Sequence, residues 1–120
     1  MKKFLQFAIV AISVFITAHP HSLAQSQHEM NRQAEADFQK ADAELNKVYH
    51  KIMAELDSEA QTKMKAAQRA WIVFRDAQAE YEADADARGG SMYPQLYYGE
   101  CADLTRRRIK QLRGPTKCLA

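Results

Sequence analysis

Histidines, cysteines and paired carboxylates are the residues of this chain that could carry chemistry, and their spacing is unfavourable for it. Behind the first two dozen residues stand only His28 and His50. Neither has a second His or a Cys at i+3 or i+4, the separation that lets two ligands on one helical face share a metal. Asp84 and Asp86 are two apart and would point in different directions from a helix. A hydrolase needs a nucleophile with its base, a metal cluster or a carboxylate pair in a cleft. The expectation is therefore no catalytic residue, no metal and no cofactor.

Cys101 and Cys118 remain. In an oxidising compartment a disulfide between them is the obvious structural hypothesis. A helix from Cys101 to Arg113 rises about 18 Å, and the extended chain from Arg113 to Cys118 spans at most about 17 Å. The bridge therefore needs a tail that doubles straight back after Gly114-Pro115, or a frayed helix. A free thiol and an intermolecular bridge stay open beside it.

The compartment is argued from the N-terminus. Lys2 and Lys3 precede an apolar run from Phe4 to Ala18, followed by His19, Pro20, His21 and the small-residue stretch Ser22-Leu23-Ala24. That order is the pattern of a secretory signal peptide, and the run is short of the roughly 20 residues of a spanning helix. A retained anchor is the alternative; no Cys lies near the cut to carry a lipid. Residues 1–24 are read as the signal peptide and 25–120 as one small domain, periplasmic or secreted, with no membrane contact after cleavage. Without Lys2 and Lys3, 15 basic residues balance 15 acidic ones. Arg106, Arg107, Arg108, Lys110, Arg113 and Lys117 crowd the end, as a C-terminal helix dipole favours. Balanced charge and export argue against a nucleic-acid partner.

Three elements must position whatever the protein uses. Met30, Ala34, Phe38, Ala41, Leu45, Val48, Ile52 and Leu56 recur at threes and fours and predict one long amphipathic helix. Asp57-Ser58 breaks it, with Ser58 and Gln61 forming a capping box for a second helix. The second stripe runs through Ala60, Met64, Ala67, Trp71, Phe74 and Tyr81. Arg88 to Pro94 is a turn by composition, and a third, less regular helix carries Leu96, Tyr97, Cys101, Leu104, Ile109 and Leu112 up to Gly114-Pro115. The fold class is all-α: an up-down hairpin with a shorter third helix packed across it.

The segment Ala66-Ala67-Gln68-Arg69-Ala70-Trp71-Ile72-Val73-Phe74-Arg75-Asp76-Ala77 resembles a motif of a known family. So do Ala41 to Tyr49 around Asn46, the Gly89-Gly90-Ser91 turn, and Cys101 followed by Leu104-Thr105 and Arg108. In that order they resemble the LprI N-terminal-like family of bacterial exported proteins, named for a lysozyme inhibitor. The resemblance covers about Gln27 to Leu112 and implies a small helical fold, export and a protein partner, a lysozyme. Members usually carry further cysteines, including at the positions of Gln33 and Ala79, so Cys101 lacks the partner that the family implies.

Bland readings stand beside these. Trp71 lies on an apolar stripe and reads as a core anchor. Arg75, one turn on, is placed to stack on it or to pair with a carboxylate of another helix. Asn46 reads as bonding a loop or helix end, and Asp76 as partnering an Arg or backbone group. These four, with Thr105 and Arg108, read as structural. The candidate partner-binding residues are Gly89, Gly90, Ser91, Met92, Tyr93, Tyr97 and Tyr98, because loops on a rigid scaffold are the usual binding elements. The alternative is that these rings cap the open end of the hairpin. The reading is a non-enzymatic exported protein that inhibits lysozyme. Its rival is a structural or stress-related envelope protein binding another partner or itself.

Overall fold

The structure, a computed structural model, describes residues 23–114. The expected signal peptide up to Ser22, and Cys118, lie outside the described residues. Three helices follow one another: α1 (Leu23–Glu55), α2 (Ser58–Ala87) and α3 (Tyr93–Arg113).

Asp57, not Ser58, caps α2. Its backbone is extended at φ −70° and ψ 172°, and its Oδ1 accepts from the Ala60 amide at 2.9 Å, the bond an N-cap carboxylate makes to the third helical N–H. Gln61, expected to reach back to the cap, instead donates to the carbonyls of Met53 at 2.9 Å and Leu56 at 3.1 Å. It thereby satisfies groups orphaned at the end of α1. The α2–α3 turn rests on Gly89, at φ +69°, and on Gly90, whose amide donates to the Ala87 carbonyl at 2.8 Å. Pro94 sits in the first turn of α3, where its missing N–H costs nothing.

α1 and α2 run antiparallel. α3 returns alongside α1, with Gln27 meeting Gln95 near one end and Glu44 meeting Arg113 near the other. It also packs on α2, where Arg108 reaches Gln68, so the third helix joins the first two. The apolar core is Leu45, Val48 and Ile109, flanked by Ile52, Trp71 and Leu112. Beyond it the helices meet through small residues: Ala79, Ala83 and Cys101 have no exposed surface, and Ala102 almost none.

The face of α2 differs from its expected stripe. Gln68, Arg75, Ala79 and Ala83 are buried, whereas Phe74 and Tyr81 are 52% and 69% exposed. Phe74 and Tyr81 lie about a third of a turn round the helix from the residues that face α3. Alanine suits the close approach, and Arg75 enters because carboxylates wait for it.

Leu45, 1% exposed, should cost about 2–5 kcal/mol when replaced by Ala, measured by urea unfolding. A second expectation follows from Cys101. Burial pushes its thiol up, against the opposing Tyr97 hydrogen bond and Arg75 charge, and burial raises Tyr97 as well. A raised pKa means that the folded state holds the proton more tightly, so this contribution is complete below the ordinary thiol range and is lost as pH rises from that range through the raised value of the folded state. Thermal stability should fall from about pH 8.5 upward, and Cys101→Ala should flatten the first part of that decline.

Candidate functional site

Two places gather the residues singled out by the sequence. The first is a polar layer crossing all three helices. Arg75 on α2 is 7% exposed; its Nε donates to Asp76 Oδ1 at 2.8 Å and its Nη1 to Asp42 Oδ1 on α1 at 3.1 Å. The guanidinium carbon lies 4.9 Å from the ring centre of Phe38 and 5.4 Å from that of Trp71. Both arrangements foreseen for Arg75, stacking and ion pairing, are present together. Burial draws its pKa down, but the Asp76 hydrogen bond, with the charges of Asp76 and Asp42, more than offsets this. The cation persists inside the protein.

Trp71 faces a second guanidinium. Arg108 of α3 lies 5.7 Å from its ring centre, donates to Gln68 Oε1 at 3.2 Å and to Gln111 Oε1 at 2.6 Å. Thr105, one turn before it, is fully buried, and its hydroxyl has no partner among the described residues. Asn46 bonds neither a loop nor a helix end: it is exposed and donates to Asp42 Oδ2 at 3.5 Å, one turn back on α1, beside the oxygen that holds Arg75. Phe38, Asp42 and Gln68 were not singled out from sequence. The seven-residue spacing of Gln68 and Arg75 about Trp71 was the available signal, since it sets all three on one side of a helix.

The Cys101 thiol of this layer is fully buried with its pKa raised, the opposite of the exposed, low-pKa thiolate that reactivity requires. Cys101 forms no disulfide among the described residues. α3 is intact to Arg113 and closed by the Gly114 amide on the Lys110 carbonyl at 2.9 Å, so the frayed-helix route to a bridge is closed. His28 and His50 are both exposed on α1, 22 residues and hence about 33 Å apart.

The second place is the end of the molecule where α2 turns into α3. The supposed loop stops at Met92, because α3 begins at Tyr93; Tyr97 and Tyr98 belong to the helix. Tyr93 stacks on Tyr97 at 6.2 Å between ring centres, Tyr97 meets Tyr98 edge-on at 5.2 Å, and Tyr98 stacks on Phe38 at 6.0 Å. This half-buried chain of rings runs from the turn to the Arg75 layer. Gly89, Gly90, Ser91 and Met92 stand exposed beyond it, Met92 at 48%.

Side-chain amides brace that tip. Asn31 donates to the Ser91 carbonyl at 2.9 Å, and Gln27 donates to Asn31 at 2.9 Å and to Gln95 at 3.0 Å. Between the tip and the start of α1 lies an open groove of about 620 Å³, lined among others by Gln27, Met30, Ser91, Met92 and Pro94. It offers apolar surface and side-chain amide groups.

The sequence profile described as "Lysozyme inhibitor LprI" matches residues 19–112, a span that takes in both the polar layer and the tip. The chain is also similar to an uncharacterized protein of Rhizobium meliloti (strain 1021), 44% identical over 103 residues that cover 75% of this chain and 73% of that protein. No solved structure matches. With the three helices, the layer knotted about Arg75 and the span of the match taken together, the chain belongs to the LprI lysozyme inhibitor family.

Proposed function

We propose that this protein is an exported, non-enzymatic inhibitor of a lysozyme, and that it docks on the enzyme through the α2–α3 tip. Family membership supports the activity. The observation that carries the docking surface is the exposed Gly89–Met92 turn, tied to α1 through Asn31 and backed by a stacked row of tyrosines. A turn held in this way loses little conformational freedom on binding, so more of the contact energy appears as affinity. Met92 is the projecting side chain, and Tyr93 supplies a ring edge beside it. A glycosidase cleft is a groove lined for a polysaccharide, with two carboxylates at its centre; a narrow rigid turn can enter it and exclude the glycan. Tyr97 and Tyr98 act here as the support of that turn, through their packing on Tyr93 and Phe38.

The signal-peptide pattern of the first 24 residues supports the same reading, since the substrate of lysozyme lies outside the cytoplasm. Intact mass of the protein recovered from the envelope or medium should begin at Gln25; a recovered species retaining Phe4 to Ala18 would exclude cleavage.

Inhibition should depend on the tip and not merely on a folded protein. In a cell-wall lysis assay, Met92→Ala with Tyr93→Ala should weaken inhibition of the susceptible lysozyme at least about tenfold. Its thermal cost should be small, because only the Tyr93–Tyr97 stack, about 1 kcal/mol, is lost. Trp71→Ala is the contrast: it should cost about 3 kcal/mol and reduce inhibition only in proportion to the unfolded fraction. No inhibition of any lysozyme type at micromolar protein would end the inhibitor reading, whereas inhibition that survives the double replacement would end only the tip mechanism.

A further inference from the structure

The outward face of α2 is apolar where a solvated helix would be polar. Val73, Phe74 and Tyr81 are 70%, 52% and 69% exposed, and Ala66, Ala70 and Ala77 between them are exposed as well. At 100° per residue these positions cluster half a turn away from Gln68, Arg75 and Ala79, which face α3. Glu59, Lys63, Ala66, Ala70, Val73 and Ala77 recur at alternating steps of four and three, the spacing of a seam between two helices. Among the described residues no other helix covers this side.

We propose that α2 pairs antiparallel with α2 of a second copy of this chain along that face. The argument for this occupant is charge complementarity. With a two-fold axis between Val73 and Phe74, each residue faces the one equidistant on the other side. Glu59 then lies opposite Arg88 of the second copy, and Lys63 opposite its Asp84. Ala66 receives Tyr81 of the other chain, and Ala70 meets Ala77, so the small residues let the axes approach to about 8 Å. Within one chain the four charges pair locally, Lys63 with Glu59 at 2.7 Å and Arg88 with Asp84 at 3.7 Å. Each doublet reads acid then base along the sequence. Reversing the second helix therefore sets base over acid at both ends, whereas a parallel pair sets like over like. Exposed ion pairs contribute little to affinity; they select orientation and register. Affinity comes from covering Val73, Phe74 and Tyr81. This pairing is independent of the lysozyme reading and leaves the Gly89–Met92 turn at the rim.

Sedimentation of the protein as recovered from expressing cells, from about 1 to 500 µM, tests the proposal. The wild type should show a reversible monomer–dimer equilibrium. Val73→Glu with Phe74→Glu, at exposed positions that spare the core, should raise the dimer Kd on the order of a hundredfold or more with circular dichroism unchanged. Glu59→Lys with Lys63→Glu should raise Kd about fivefold to fiftyfold, and adding Asp84→Lys with Arg88→Asp should restore it. A protein monomeric throughout that range overturns the proposal, as does a dimer indifferent to the Val73 and Phe74 replacements. A charge reversal without effect, or one not rescued by the second reversal, overturns the antiparallel register.

Discussion

The buried guanidinium of Arg75 is the constraint around which the three helices are arranged. Removing an arginine from water costs several kcal/mol, recovered only when partners stand in place. Here the partners come from separate stretches of chain: Asp42 and Phe38 from α1, Trp71 and Asp76 from α2 itself, with Tyr97 and Cys101 of α3 beside them. A shift of one turn between α1 and α2 would strand the cation from Asp42 and Phe38. An apolar core as small as Leu45, Val48 and Ile109 tolerates slippage far more readily than this layer does, so the polar contacts specify the alignment that the apolar contacts stabilise. Trp71 shows the coupling in one side chain, with one guanidinium from its own helix and a second from α3 against its ring system.

The same layer supports the far end of the molecule. Phe38 carries Arg75 on one side and stacks with Tyr98 on the other, and Tyr98, Tyr97 and Tyr93 continue the contact to the turn. The exposed residues at Gly89 to Met92 are thus the end of a packed series that begins in the interior. The residues of the family motif and those of the tip belong to one continuous mechanical unit.

Much of this was legible from sequence, and the failures have specific causes. α1 has one apolar stripe and one buried face, so Ala41, Leu45 and Val48 fell where their spacing placed them. α2 has the same helical period, but its buried face is turned by about a quarter of a turn from the expected stripe, with Trp71 still against the core. Its apolar residues Val73, Phe74 and Tyr81 face out, and Gln68 and Arg75 face in, an inversion that a rule equating apolar with buried misreads. The cap moved by one residue because Asp57 and Ser58 are both good N-caps and only the backbone angles choose between them. Pro94 marked the start of α3 correctly and Tyr97 was placed on that helix, yet Tyr97 and Tyr98 were also counted among the loop candidates because aromatic composition does not distinguish a loop from a first helical turn.

The placement of α3 has a consequence for the order in which the protein can be made. α1 and α2 are joined by a short turn but enclose almost nothing without α3, which supplies Ile109, Cys101 and Thr105 to the interior. All three follow α1 and α2 in the sequence and are made after them. Until α3 emerges, α1 and α2 are two amphipathic segments with no interior to enter. Helices in this order stay threadable through a narrow pore until the third has been made.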